Sequence, residues 1–99
     1  MARFEVFRSR DGSVLLLDLQ SGVLESLPTR VVAPLHQIRD MPWSMGRLTP
    51  RFEIDGVHYV LAAHQLAAVH RDEIGQFVAD LSTHSDEITA ATDFLFQGF

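Results

Sequence analysis

The chain has 99 residues, 46% hydrophobic and 21% charged, with 13 acids against 8 bases for a formal charge of -5. This is the balance of a folded globular chain, and its acidity argues against general electrostatic binding to a phosphate backbone. The absence of cysteine excludes a disulfide scaffold, a thiolate metal site and a cysteine nucleophile.

The length is that of a single domain, residues 1–99. No apolar run approaches a membrane span, and Met1 to Val6 alternates in polarity, so neither a membrane segment nor a leader is expected and the location expected is cytoplasmic. Every base is arginine, whose planar fork suits carboxylate partners, although a GC-rich genome yields the same bias.

In chain order, Arg3 to Arg8 alternates with Phe4 and Val6 on one face, and Asp11-Gly12 ends it in a turn. Val14 to Leu19 is an apolar run that predicts a buried strand. A two-residue turn at Asp11 and Gly12 would set Glu5 opposite Asp18, a like-charge pair, so a longer or bulged loop is expected. Val23 to Ser26, leading to Pro28, predicts a short edge segment. Arg30 to Leu35 predicts another strand, with Pro34 marking a strand end or an edge because it lacks a ladder donor. Gln37 to Pro50 has no sustained period and reads as a structured loop.

Arg51 to Ile54, Asp55-Gly56 and Val57 to Ala62 form the clearest hairpin, since Asp-Gly supplies the positive backbone angles of a primed turn. Its register sets Ile54 against Val57, Phe52 against Tyr59 and Glu53 against His58. Gln65 to Asp72 has no clear pattern, and Glu73 to Asp80 is expected to be a short turn or helix. Thr83 to Asp86 has capping-box spacing, while Ile88, Ala91 and Leu95 fall on one helical stripe. Gly98 stands where such a helix stops. The elements amount to a small, mainly antiparallel sheet of about five strands and one C-terminal helix.

The last stretch, Phe94, Leu95, Phe96, Gln97, Gly98 and Phe99, holds three phenylalanines in six positions. Two readings are compatible. Phe94 to Phe96 close the core and leave Phe99 outside, or the final turn presents an aromatic hook to a partner.

Several blocks resemble the CcdB family of plasmid-addiction toxins, in the family's order and over essentially the whole chain. They are Phe4-Glu5-Val6-Phe7, Asp18-Leu19-Gln20-Ser21, Thr29-Arg30-Val31-Val32-Ala33-Pro34-Leu35, Ile74-Gly75, Val78-Ala79-Asp80-Leu81-Ser82, and Phe96 with Gly98. The resemblance implies an SH3-like barrel with a small extra sheet and a C-terminal helix, paired as a homodimer. It implies a toxin that binds the A subunit of DNA gyrase, traps the enzyme on cleaved DNA without covalent chemistry of its own, and is neutralised by the disordered C-terminal segment of a small antitoxin. It carries the gyrase contacts onto Gln97, Gly98 and Phe99, with Phe96, Asp93, Val23 and Leu24 in support. The chain departs from the pattern at Gln97, where the family has tryptophan, and at Phe99, where it has an aliphatic residue. Under the same resemblance, acids of the antitoxin would pair with Arg8, Arg10 or Arg30.

The alternatives are a non-toxic or retargeted relative that keeps dimer and antitoxin, and an endoribonuclease of the MazF and Kid type, which shares the barrel. An endoribonuclease would recruit Arg30, Asp18 or a histidine, but no local motif makes such groups converge. His58, His64 and His70 recur every six residues, yet the first two, on one strand face, stand too far apart for one ion. His84 lies at the helix entrance, and Asp72-Glu73 reads as a solvated turn. No catalytic residue, metal or cofactor is assigned.

Overall fold

The computed structural model describes Met1–Phe99. It contains β1 (Glu5–Ser9), β2 (Leu15–Asp18), β3 (Thr29–Gln37), β4 (Arg51–Ile54), β5 (Val57–Leu61), β6 (Ala67–His70), β7 (Ile74–Asp80) and one helix, α1 (Ser85–Gln97). All strand pairs are antiparallel, in the order β4-β5-β3-β2-β1-β7, with β6 also on β3. The expected mainly antiparallel β fold with a C-terminal helix is observed as a curled half-barrel. Its strands number seven in one continuous sheet, against the expected five or so with a small extra sheet.

β2 is buried along its whole length. Leu15 and Leu17 point into the main core with Val6, Leu35, Phe52 and Leu61, while Leu16 joins Phe7, Val32 and Ile74 in a second cluster. Ile88 and Ala91 of α1 close the main core from the helix side, with Leu95 packed beside them. The predicted stripe is therefore the packed face.

The β1–β2 loop resolves the charge conflict differently from expectation. The register runs from Val6↔Leu17 to Arg8↔Leu15 and closes with Ser9 N donating to Val14 O, so four residues, Arg10 to Ser13, turn the chain in the register of a tight turn. Glu5 does come level with Asp18. The repulsion is removed because Asp18 is buried against Arg30 and Glu5 accepts a hydrogen bond from Ala2 N.

Pro34 lies inside β3, opposite Leu16, and marks neither an end nor an edge. Its carbonyl accepts from Ala62 N. Nitrogen and carbonyl of one residue face the same way in an antiparallel strand, so the missing N–H falls at the break between β5 and β6. There the short 3₁₀ turn Ala63–Gln65 shifts the register, and β5 and β6 pair successive lengths of β3 as one interrupted strand.

The hairpin of β4 and β5 has the predicted register, with φ of 51° at Asp55 and 80° at Gly56. Three further expectations fail. Glu73 to Asp80 is mostly the seven-residue strand β7, whose two register shifts against β1 hid its alternation. Val23 to Ser26 is not an edge segment, because Gly22–Leu24 is a 3₁₀ turn with Ser21 accepting from Val23 N. The capping box at Thr83 is not formed. A 3₁₀ turn, Ser82–His84, precedes the helix, Asp80 takes Ser82 N, and the first-turn acids Asp86 and Glu87 face the helix N-terminus. The irregular stretch Gln37 to Pro50 is a structured loop, anchored by buried Leu48 and Thr49. No helix is long and apolar enough to cross a membrane.

Candidate functional site

The C-terminal end of α1 is built to project aromatics. Gly98 takes the left-handed conformation at φ 81° and donates its N–H to Phe94 O, which ends the helix and turns Phe99 away from its axis. Phe94 packs against the core beneath the Arg47 guanidinium, 5.0 Å from its ring centre. Phe96 and Phe99 are 71% and 75% exposed. Thus Phe94 and Leu95 close the core, and Phe96, which one reading placed inside with them, faces solvent together with Phe99.

The turn after β2 supplies the second element. Val23 is 89% exposed, and Leu24 is exposed as well. Leu24 and Phe96 both line one open groove of about 360 Å³, with Leu19 and Val31 among its apolar residues and Arg3 as its charged one. The groove thus joins two stretches more than seventy residues apart in sequence. Val23, Asp93, Gln97, Gly98 and Phe99 are outside its lining and exposed. A larger cavity of about 450 Å³, lined by residues including Ser9, Asp11, Ser13 and Asp72, shares no residue with it.

Behind the turn lies a buried polar network. Arg30 Nε and Nη2 donate to Asp18 Oδ2 at 3.0 and 2.6 Å, with the side chains 1% and 0% exposed. Arg30 is therefore not available to an antitoxin, whereas Arg8 and Arg10 are exposed. Asp18 Oδ1 accepts from Gln20 N at 2.9 Å, and Arg30 Nη2 donates to Gln20 O at 3.0 Å. The Gln20 amide donates to Leu24 O and Thr29 O and accepts from Val31 N. Sequence reasoning passed over Gln20 as a functional residue, since only its long-range partners distinguish it from any polar residue after a strand.

The candidate enzyme and metal residues are dispersed. His58 faces Glu53 at 3.4 Å, His70 lies beside Asp72, His84 beside Glu87, and His36 bonds Gln65. His64 is not on the strand face of His58 but in the 3₁₀ turn that follows β5, its ring edge-to-face with Trp43 at 5.2 Å. No three histidine or acid side chains group to hold a metal ion. The Asp11 carboxyl pKa is lowered to about 2 by hydrogen bonds from the Ser13 hydroxyl and N–H and the Ser9 hydroxyl.

Residues 3–98 match the family model described as CcdB protein. No curated protein matches the sequence. Among solved structures, the chain is similar to an endoribonuclease in complex with its cognate antitoxin from Mycobacterial species, at 13% identity and a TM-score of 0.80, covering 97% of this chain and 94% of that one. It is also similar to an endoribonuclease from Mycobacterial species, at 13% identity and a TM-score of 0.79, covering 97% and 90%. At that identity the likeness is one of fold.

Proposed function

The chain belongs to the CcdB family, and from that premise we propose that it is the toxin of a type II toxin–antitoxin pair, a single-domain cytoplasmic protein that poisons DNA gyrase. It binds the A subunit of DNA gyrase, traps the complex on cleaved DNA and is neutralised by the disordered segment of a small antitoxin. The observation that carries this reading is the exposure of Val23, Leu24, Asp93, Phe96, Gln97, Gly98 and Phe99, with Leu24 and Phe96 on one groove. Large apolar residues left solvated favour a partner surface over a core.

The action is one of binding. Exposed aromatics at a rigid helix end lose little freedom on docking, and such residues often dominate an interface. Gln97 stands where the family places a tryptophan, and Phe99 adds a ring one glycine further on, so the anchor moves rather than disappears. The symmetric dimer that the family resemblance implies would present two tails to a two-fold target.

The endoribonuclease reading draws on the fold likeness alone. Against it, Arg30 and Asp18 are paired with each other in the interior, and the histidines lie beside separate neighbours. A retargeted relative that keeps dimer and antitoxin is the nearer alternative, because of Gln97.

Gyrase supercoiling and DNA-cleavage assays decide among them, with native protein, a deletion of Gly98-Phe99 and Gln97→Trp. Cleaved DNA trapped by the native protein and lost on deletion is the expected result. Activity only in Gln97→Trp would identify a retargeted relative, and inertness of both would remove gyrase as the target. Cleavage of single-stranded RNA by the native protein would favour the enzyme.

A further inference from the structure

The segment from Leu19 to Pro28 leaves the sheet between β2 and β3 and carries Val23 and Leu24. Leu19 N donates to Val31 O of β3 where the segment begins; beyond it, the backbone bonds Leu24 N to Ser21 O, Glu25 N to Gly22 O and Leu27 N to Leu24 O curl the middle of the segment on itself without fixing it to the sheet. Arg71 holds its far side, with Nη1 donating to Glu25 O and its N–H to Pro28 O. Next to the groove, the tie on Leu24 is Gln20.

Gln20 is 9% exposed and uses its polar groups on both sides. Its Nε2 donates to Leu24 O at 3.3 Å and Thr29 O at 3.1 Å, linking the middle of the segment to its exit, and its Oε1 accepts from Val31 N at 3.0 Å in β3. Its own backbone is held by Asp18 at the nitrogen and Arg30 at the oxygen. Arg30 Nη1 is buried with no hydrogen-bond partner within the chain. A buried ion pair is weak evidence for stability, and the best-attested use of such pairs is to fix one geometry.

We propose that Gln20, fixed by Asp18 and Arg30, is the positioning residue of the docking surface: it holds Val23 and Leu24 beside the Phe96 groove before a partner arrives. Ordering the segment in advance removes an entropic cost of association. The role in docking rests on the proposed function, whereas the hold on the segment does not.

Amide hydrogen exchange on the full chain tests the hold. In Gln20→Met, which keeps the volume and removes the three side-chain bonds, the amides of Leu24, Glu25 and Leu27 should exchange about tenfold faster, with those of Leu17 and Leu35 unchanged. Unchanged rates in the segment, or lost protection throughout the sheet, would overturn the proposal. Gln20→Glu is the second variant. Its carboxylate faces two carbonyl oxygens at neutral pH, so the same amides should exchange faster than in the native protein, by a ratio that falls towards one as acid protonates the carboxyl group. A ratio independent of pH, or failure of both variants to fold, would also overturn it. Binding to the purified A subunit of DNA gyrase is measured beside these, with about tenfold weakening expected in Gln20→Met. If the native protein does not bind, the assignment of the partner fails, while the exchange rates still decide the role of Gln20 in the segment. If both bind equally, the docking role is overturned.

Discussion

The Arg30 guanidinium grips the Asp18 carboxylate through two hydrogen bonds to one oxygen, and together the two side chains hold the backbone of Gln20 from either side. A pair read from sequence as candidate catalytic or antitoxin-binding groups is thus a buried strut between β2 and β3.

Removing one partner leaves the other charge buried and uncompensated. Arg30→Met is expected to destabilise the fold by about 3–5 kcal/mol, measured by urea denaturation. The double variant Arg30→Met with Asp18→Leu should recover much of that loss. Equal stability of the native protein and the single variant would contradict the strut.

Gly75 is required by packing and not by its backbone angles. A Cβ there would lie 2.8 Å from the carbonyl oxygen of Arg8, and backbone cannot swing aside as a side chain can. Gly75→Ala should force β7 away from β1 and cost about 1–3 kcal/mol, read as a lower melting temperature.

Gly98 sets the direction of the tail. At φ 81° a side chain is strained, by about 1–2 kcal/mol for an L-residue, although no neighbour obstructs it. Gly98→Ala should leave the sheet intact and fray the last turn of α1, seen as faster exchange at residues 94–98. Retention of the helix end with native protection would show that the left-handed stop is dispensable.

Phe96 separates stability from binding. Its ring is mostly solvated, so Phe96→Ala should change stability by less than about 0.5 kcal/mol. Binding to the A subunit of DNA gyrase, on the proposed function, should weaken by about 2 kcal/mol, as for a central aromatic anchor. Calorimetry with each variant reads both quantities.

Asp11 titrates unusually low. Hydrogen bonds from Ser13 and Ser9 stabilise its charged form, so the folded pKa of about 2 lies below the ordinary 3.8. The stabilisation is present above the ordinary value and is lost as pH falls through the folded one, between roughly pH 4 and pH 2. Carboxyl NMR titration should place Asp11 near 2, and in Ser13→Ala nearer the ordinary value. A midpoint near 3.8 in the native protein would remove the hydrogen-bond account of the loop.

What short-range chemistry controls was legible in the order of residues. Asp55 and Gly56 set the hairpin register, the spacing of Ile88, Ala91 and Leu95 set the packed face of α1, and Gly98 set its end, because each depends on neighbours within a few residues. The blocks around Asp18, Thr29 and Ile74 carried the family resemblance on order alone. The rest waited on the fold. β7 was illegible because its bulges break the alternation, and Pro34 is tolerated in a central strand because its missing donor meets a break between two strands it does not adjoin in sequence. Arg30 became a buried partner of Asp18, and Leu24 and Phe96 came to line one groove, through the folding of distant segments onto each other. No local pattern encodes such a meeting, since what brings the residues together is the curl of the sheet and the helix packed into it.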